Sequence, residues 1–597
     1  MTVRTAGSPV KAVPQKPPKP PGRLSLAAKR KQEHLARTVL PYAGALAASA
    51  GADLILHQPV LLGLGAGAAA MHAGIRLHEA RGWRRGGGKA AMRKRRRYQG
   101  TATRRELCRN LSPAAVARRA AVTSPGLHPS QAAVMIGWAK GQDLAGSREE
   151  SYLLIAPPRT FKTALLACWA ADAPGALLAT STRTDLYVHT AIPRGGLGDL
   201  HVLNPGGDGG IPSTLEWSPL DGCQSPAIAI ERAGYLMAAA PKDSGGKDAW
   251  WDAKGAELLR LMLHAAAISG ATMREAVAWV HDPASREPAS ILAGEFAAPG
   301  WDRRLAAMAD DESDQMRGIA ASASAARSGM DDPAMARAAC PSGDGFDAAA
   351  FLRDGTGTVY LIGADKPHGS LAPYFAAFAA NLFETAKWLA SHSPGGRLEY
   401  PLTMTLDEAA ITCPVPLHKW TSEAGGHGIT VMAAVQGLPQ LSRWGEAEGK
   451  TIFKNSTVKI FGGGDTSHED LEAISAVCGD RDTWDHVKAP DGGRTRQPRQ
   501  ERAIPPERIR MLGQNEVLVL HRSTRPVIAR VTPAWERKGY EAAPLGPGAF
   551  PGDLQAPQPA IERARQAIPL PGAPPALAPV IADETREGIP WHAVTRG

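Results

Sequence analysis

Cysteine is scarce in this chain and never closely paired. Cys108, Cys168, Cys223, Cys340, Cys413 and Cys478 are scattered over 597 positions without a C-x-x-C. That spacing argues against a zinc site and a disulfide framework, and it places the bulk of the chain in a reducing cytoplasm. No internal repeat is evident, which excludes a repeat array. Nothing at the start reads as a cleavable signal peptide, because the first 37 residues are long, basic and proline-rich. Long apolar runs are missing too. The stretch with least charge, 38–75, divides at His57-Gln58-Pro59 into two Ala- and Gly-rich halves. Each half is shorter than the roughly 20 apolar residues that one membrane helix wants.

What is present is size, apolar content and unevenly placed positive charge. A chain of this length with 44% apolar residues accommodates two to four domains with sizeable cores. The net charge of +10 is modest, but nine Lys/Arg against one acid fall in residues 1–37, and nine against none in 81–97. Basic flanks on both outer ends of 38–80, with none at the central turn, predict a transmembrane helical hairpin with both termini cytoplasmic. Its small residues suit close helix packing in lipid. The alternative is an Ala-rich helical pair docked on a soluble body. The basic segment 81–97 has three readings: it enforces topology, touches the anionic membrane, or binds DNA phosphates. Only Trp83 and Tyr98 offer aromatic surface there.

Seven segments follow from composition and periodicity. Residues 1–37 read as a disordered basic, Pro-rich tail, 38–80 as the hairpin, and 81–150 as a basic juxtamembrane segment and lead-in, with mixed helix and loop over 101–150. Residues 536–597 read as a Pro-rich disordered tail. Between them, strand and helix alternate. Apolar strands are predicted at 153–156, 176–180, 200–203, 358–362, 402–406, 429–435, 458–461 and 517–520. The stretch 227–345 is helical instead, with three- and four-residue apolar spacing. The prediction is an α/β fold: a parallel sheet covered on both faces in parts 151–226 and 346–535, with an all-α domain inserted.

The most informative segment is YLLIAPPRTFKTA, Tyr152 to Ala164. An apolar strand, a tight loop and a Lys-Thr opening a helix form the layout of a phosphate-binding loop. The helix N-terminus offers free N–H groups, the lysine reaches the outer phosphates, and the hydroxyl holds magnesium. Nucleotide binding is assigned to Ala156, Pro157, Pro158, Arg159, Thr160, Phe161, Lys162 and Thr163. Two glycines of G-x-x-x-x-G-K-[ST] are replaced, by Ala156 and Phe161. Ala156 is tolerable at negative φ. Phe161 is unfavourable if its position needs positive φ or close backbone approach to phosphate.

Downstream, LTMTL at 402–406 ends in Asp407-Glu408. Carboxylates at the end of a parallel strand lie where such sheets bind ligands. Asp407, with Thr163, is assigned to Mg2+, and Glu408 to orienting or deprotonating the attacking water. ITVMAAV ends in Gln436, which suits sensing the γ-phosphate or positioning water. Lys162, Glu408 and Gln436 are the catalytic candidates. A solvent-facing acidic pair and a strand-capping amide are the bland readings of each alone. The order loop-Lys-Thr, strand-Asp-Glu, strand-Gln is the one an ATP-hydrolysing core requires.

The chain resembles the type IV coupling proteins, the TraG/TraD-type ATPases of conjugative DNA transfer, most closely versions from high-GC Gram-positive bacteria. The resemblance covers roughly 100–535. It rests on APPRTFKT (156–163), TSTRTDL (180–186), VLNPGG (202–207), WSPLDGC (217–223), WWDAKGAELLRLMLHAAA (250–267), TLDEAA (405–410), AAVQGLPQL (433–441) and KIFGGGDTSHEDLEAISAVCG (459–479). It implies a RecA-like P-loop NTPase core with ATP and Mg2+ as cofactors, and a homo-hexamer at the cell membrane, bulk in the cytoplasm. The implied cargo is relaxase-bound single-stranded DNA or a secreted protein, delivered to type IV secretion channel proteins. A trans-acting arginine finger is implied among Arg443, Arg481 and Arg525. Two other readings stand beside it: a hydrolytically inactive membrane-tethered adaptor, and an FtsK-type double-stranded DNA translocase, which the all-α insertion argues against.

Overall fold

A computed structural model of the chain describes residues 100–123, 128, 131–241, 249–363, 369–488 and 494–545. The predicted tail 1–37, the expected hairpin 38–80, the basic segment 81–97 and most of the predicted tail 536–597 lie outside the described residues. Among the described residues no helix is long and apolar enough to cross a membrane.

Thirteen strands form among the described residues: β1 (Ala133–Ala139), β2 (Gln142–Ser147), β3 (Tyr152–Ile155), β4 (Leu177–Ser181), β5 (Leu200–Leu203), β6 (Thr358–Ile362), β7 (Leu402–Leu406), β8 (Ile429–Val435), β9 (Val458–Phe461), β10 (Asp480–Lys488), β11 (Arg494–Arg502), β12 (Glu516–His521) and β13 (Thr524–Arg530). Eleven of them make one sheet in the order β2-β1-β13-β12-β9-β3-β8-β7-β4-β6-β5. From β9 to β5 neighbouring strands are parallel, as the strand–helix rhythm predicts. At the other end, β12, β13, β1 and β2 join antiparallel.

This antiparallel edge corrects the reading of 101–150 as helix and loop. The helices Arg104–Asn110 and Pro113–Thr123 are there, but so are β1 and β2. Gly137 breaks the apolar alternation of β1 with a register shift, and a side chain there would meet the Arg530 carbonyl at 2.5 Å. Residues 536–543, counted with the tail in the sequence, still pack on the fold. Ala543 is buried and its N–H donates to the Val188 carbonyl at 2.8 Å.

Alternation along the central strands feeds two cores. Leu153 and Ile155 of β3 belong to one with Leu258 and Met262 of the helical domain. Tyr152 and Leu154 join Leu165 and Trp169 in the other. The inserted helices run from Pro226–Ala239 to Pro333–Ala338, built around the long helix Ala249–Ser269. At its middle, fully buried His264 donates from Nδ1 to the Cys223 carbonyl (2.8 Å) and accepts at Nε2 from Ala298 N–H (3.2 Å). Burial holds this imidazole below its usual pKa, so it serves as a neutral crosslink. Trp217, of the WSPL segment, ties the insertion to the helix Ala372–Ser391, packing edge-on against Tyr374 and Phe378. Its ring lies under the Arg232 guanidinium at 4.6 Å, and Arg232 donates to Asn381 Oδ1 at 2.8 Å.

Candidate nucleotide site

The strand order places the three predicted motifs side by side. β8 lies between β3 and β7, with Ile155 opposite Val435 and Leu406 opposite Ala433. The loop after β3, Gln436 after β8 and Asp407-Glu408 after β7 therefore emerge at one carboxyl edge of the sheet, the usual ligand edge. β4 flanks β7 on the far side and delivers Thr180 beside Asp407, whose N–H donates to the Thr180 carbonyl at 3.2 Å.

The loop resolves the glycine problem locally. Phe161 stands just before the helix Lys162–Ala171 at φ −67°, ψ −5°, so ordinary right-handed backbone suffices there. The positive φ in this loop falls on Arg159, at 59°. Phe161 and Ala156 are both buried in the core beneath the loop. Space for them comes from Gly462 at the end of β9, where a Cβ would meet Ala156 Cβ and Phe161 Cε1, each at 2.7 Å. The Gly462 N–H donates to the Ile155 carbonyl at 3.0 Å, fixing that close approach. The missing volume has moved from the loop to the adjacent strand end. Thr160 Oγ1 closes the turn by donating to the Pro157 carbonyl at 2.8 Å.

Lys162 is 5% exposed, and its Nζ has no hydrogen-bond partner. Burial lowers its pKa, while Asp407 and Glu408 pull it back up. Asp407 is 8% exposed, with Oδ1 equally unpartnered. Its pKa is pushed up to about 6, mainly by burial, with Lys162 opposing and Glu408 adding to the rise. The Oγ1 of Thr180, a residue sequence reasoning passed over, is a third buried orphan. Buried polar groups are normally paired, so three orphans at one strand edge mark a built site. An ammonium, a carboxylate and a hydroxyl suit a magnesium–phosphate group, and the neighbouring Thr163 opens the helix.

Glu408 is set differently. It sits in the left-handed region at φ 48°, ψ 46°, a strained position for a side-chain-bearing residue. Its Oε1 accepts from Gln436 Nε2 at 2.8 Å, and its carbonyl accepts from Thr412 Oγ1 at 3.0 Å. Gln436 is held in turn, its N–H donating to Gln440 Oε1 at 2.7 Å. A cleft of about 360 Å³ opens beside the loop, lined by Pro157, Pro158, Gln436, Gln440, Asp465 and Asp470 among others. Gln440 and Asp470 carried no sequence signal beyond their place in segments matched as a whole. Of the three arginines proposed as a finger, Arg443 donates to the Ala240 carbonyl (2.8 Å), Arg481 pairs with Glu501 (3.2 Å) and Arg525 with Glu106 (2.8 Å). None of these contacts involves a residue of the site within this chain.

Residues 401–514 match the family model described as the TraM recognition site of TraD and TraG. Among curated proteins there is no match. Solved structures with the same fold include the bacterial conjugative coupling protein TrwBdeltaN70. Its unbound monoclinic form is 16% identical, with 72% of this chain and 94% of that chain covered and a TM-score of 0.51. Its trigonal form in complex with sulphate is 17% identical, with 74% and 96% covered and a TM-score of 0.51. The plasmid coupling protein TrwB in complex with ADP and Mg2+ is also matched, at 18% identity, 66% and 86% coverage and a TM-score of 0.48. The resemblance to the type IV coupling proteins read from the motifs is borne out by the family match and the shared fold.

Proposed function

We propose that this chain is a membrane-anchored ATPase of the coupling-protein type, which recruits a relaxase-bound DNA or protein substrate and drives it into a type IV secretion channel. The observation that carries the ATPase part is the trio of buried, unpartnered groups, Lys162 Nζ, Asp407 Oδ1 and Thr180 Oγ1, at the edge where the phosphate-type loop ends. ATP and Mg2+ are the proposed cofactors, with Thr163 and Asp407 holding the metal. Mg2+ held there would supply positive charge to the phosphate oxygens.

The chain's own residues divide the remaining work. Lys162, desolvated and cationic, concentrates positive charge where the outer phosphates develop negative charge in the transition state. Glu408, fixed by Gln436, is placed to orient and deprotonate the attacking water. Because Gln436 also faces the cleft, movement of its amide on phosphate loss would release Glu408, coupling hydrolysis to β8. Completion by a neighbouring subunit's arginine fits a hexamer, with Arg443 the candidate nearest the helical insertion.

The test is ATP turnover by the full chain with and without single-stranded DNA, beside Lys162→Ala and Glu408→Gln. DNA-stimulated turnover that both substitutions reduce to background is expected. An identical background rate in all three would overturn the motor in favour of a non-hydrolysing adaptor.

A further inference from the structure

The acidic pair after β7 is held in a turn that is strained for residues carrying side chains. Among the described residues four non-glycine positions take positive φ, and two of them, Arg159 and Glu408, stand at the ligand edge of the sheet. Such geometry persists only where the surroundings over-determine it. At Glu408 those surroundings are close at hand. Its carbonyl accepts from the N–H groups of Ile411 (2.8 Å) and Thr412 (3.0 Å), closing the short helix Ala409–Thr412 directly behind it. Thr412 is 3% exposed, and its Oγ1 shares one proton between the carbonyls of Asp407 (2.6 Å) and Glu408 (3.0 Å). A helical threonine ordinarily bonds back to the carbonyl four residues earlier, here Glu408. The shorter bond reaches one residue further, to Asp407, outside the helix. On the strand side the Asp407 N–H is fixed to the Thr180 carbonyl at 3.2 Å.

We propose that Thr412 is a positioning residue, whose hydroxyl locks the Asp407–Glu408 peptide so that the Glu408 carboxylate meets Gln436. The proposal rests on the ATPase reading and adds to it the group that aims the water-activating carboxylate. The Asp407 carbonyl belongs to the peptide plane whose rotation sets φ at Glu408, so holding that oxygen holds the turn. A buried carbonyl that loses its donor is costly to leave unpaired. Without the hydroxyl, the plane is free to rotate and Glu408 to relax toward the right-handed region that side-chain-bearing residues favour. That rotation swings the carboxylate away from Gln436 Nε2, which donates to it at 2.8 Å.

The experiment compares the full chain with Thr412→Val, which keeps the branched shape without the hydroxyl, and with Thr412→Ser, which keeps the hydroxyl. ATP turnover, equilibrium binding of a fluorescent ATP analogue, and hydrogen exchange in the nucleotide-free protein are read for each. Thr412→Val is expected to lower kcat by roughly 10²-fold, the cost of a misplacement of about 1 Å, with nucleotide affinity little changed. It is also expected to speed exchange of the amides at 411 and 412 while β3 and β8 stay protected. Thr412→Ser is expected to retain slow exchange and most of the turnover. Turnover and affinity falling together, with exchange quickened in β3 and β8 as well, would mark a merely structural hydroxyl and overturn the proposal. Equal kcat in an active wild type and Thr412→Val overturns it too, and leaves the ATPase reading intact. Wild-type protein without ATP turnover, in which Thr412→Val still frees the two amides, would sink the ATPase reading and leave the clamp on the turn standing.

Discussion

The two halves of the candidate nucleotide site are built on opposite principles. On the carboxylate side, Glu408 and Gln436 are already engaged with each other at 2.8 Å, in a backbone geometry held under strain. In the other half, Lys162 at the end of the loop and Asp407 at the end of β7 are buried with polar atoms that meet nothing. A preset pair carries orientation, whereas desolvated, unsatisfied groups store unfavourable energy that only a ligand relieves. Under the proposed function, turnover belongs to the first half and nucleotide capture to the second.

Substitutions that separate turnover from capture test that division most sharply. Glu408→Gln is expected to lower ATP turnover by roughly 10²- to 10⁴-fold, the range for a lost general base, with nucleotide affinity little changed by equilibrium titration. If affinity collapses equally, Glu408 belongs with the capture groups and the division fails. Lys162→Ala is expected to cost roughly 10²- to 10³-fold in turnover, as loss of a charge-stabilising group does, and to weaken nucleotide binding as well. Unaltered binding in that variant would leave the buried ammonium without the role assigned to it.

Much of this half-and-half arrangement was legible in the sequence because each motif follows an apolar strand. Strands at 200–203, 358–362, 402–406, 429–435 and 458–461 coincide with β5 to β9. Buried parallel strands leave continuous apolar runs, which few other structures imitate. What escaped was written in weaker signals. β13 contains Pro526, which demotes a strand reading, and β1 is interrupted by Gly137. The ribbon β10–β11 is polar on nearly every rung because it joins no main sheet, so no apolar period betrays it. The partnership of Phe161 with Gly462 spans 301 positions, from loop to strand end, and no local pattern reports such a contact.

Asp407 sharpens the contrast through pH. Its carboxyl titrates at about 6 in the fold, against 3.8 ordinarily. Between those values the folded chain holds a proton that the unfolded chain has released. Stability from this group is therefore greatest at low pH and is lost as pH rises through about 4 to 6. Two pKa units correspond to about 3 kcal/mol. Asp407→Asn is thus expected to stabilise the nucleotide-free protein by up to about 3 kcal/mol at pH 7.5, an advantage that shrinks toward pH 5 in denaturant titrations. The same substitution should weaken Mg2+-dependent nucleotide binding. A variant less stable than wild type at pH 7.5 would mean that Asp407 stabilises the empty fold and is no reserved ligand.

The smallest expected effect tests where the loop's missing glycine went. Gly462→Ala puts a methyl 2.7 Å from both Ala156 Cβ and Phe161 Cε1, closer than carbon atoms approach. Overpacking of this kind costs about 1–3 kcal/mol, read as a lowered denaturation midpoint at unchanged slope. Phe161→Leu alone also destabilises, by leaving part of the ring's volume empty. Combined, the two changes share one space and should be less harmful than their sum by about 0.5 kcal/mol or more, as residues in contact are. Strict additivity would show that Gly462 does not make room for Phe161. It would also return the loop to the sequence's original difficulty, a bulky residue where phosphate loops carry glycine, with nothing across the strand edge to accommodate it.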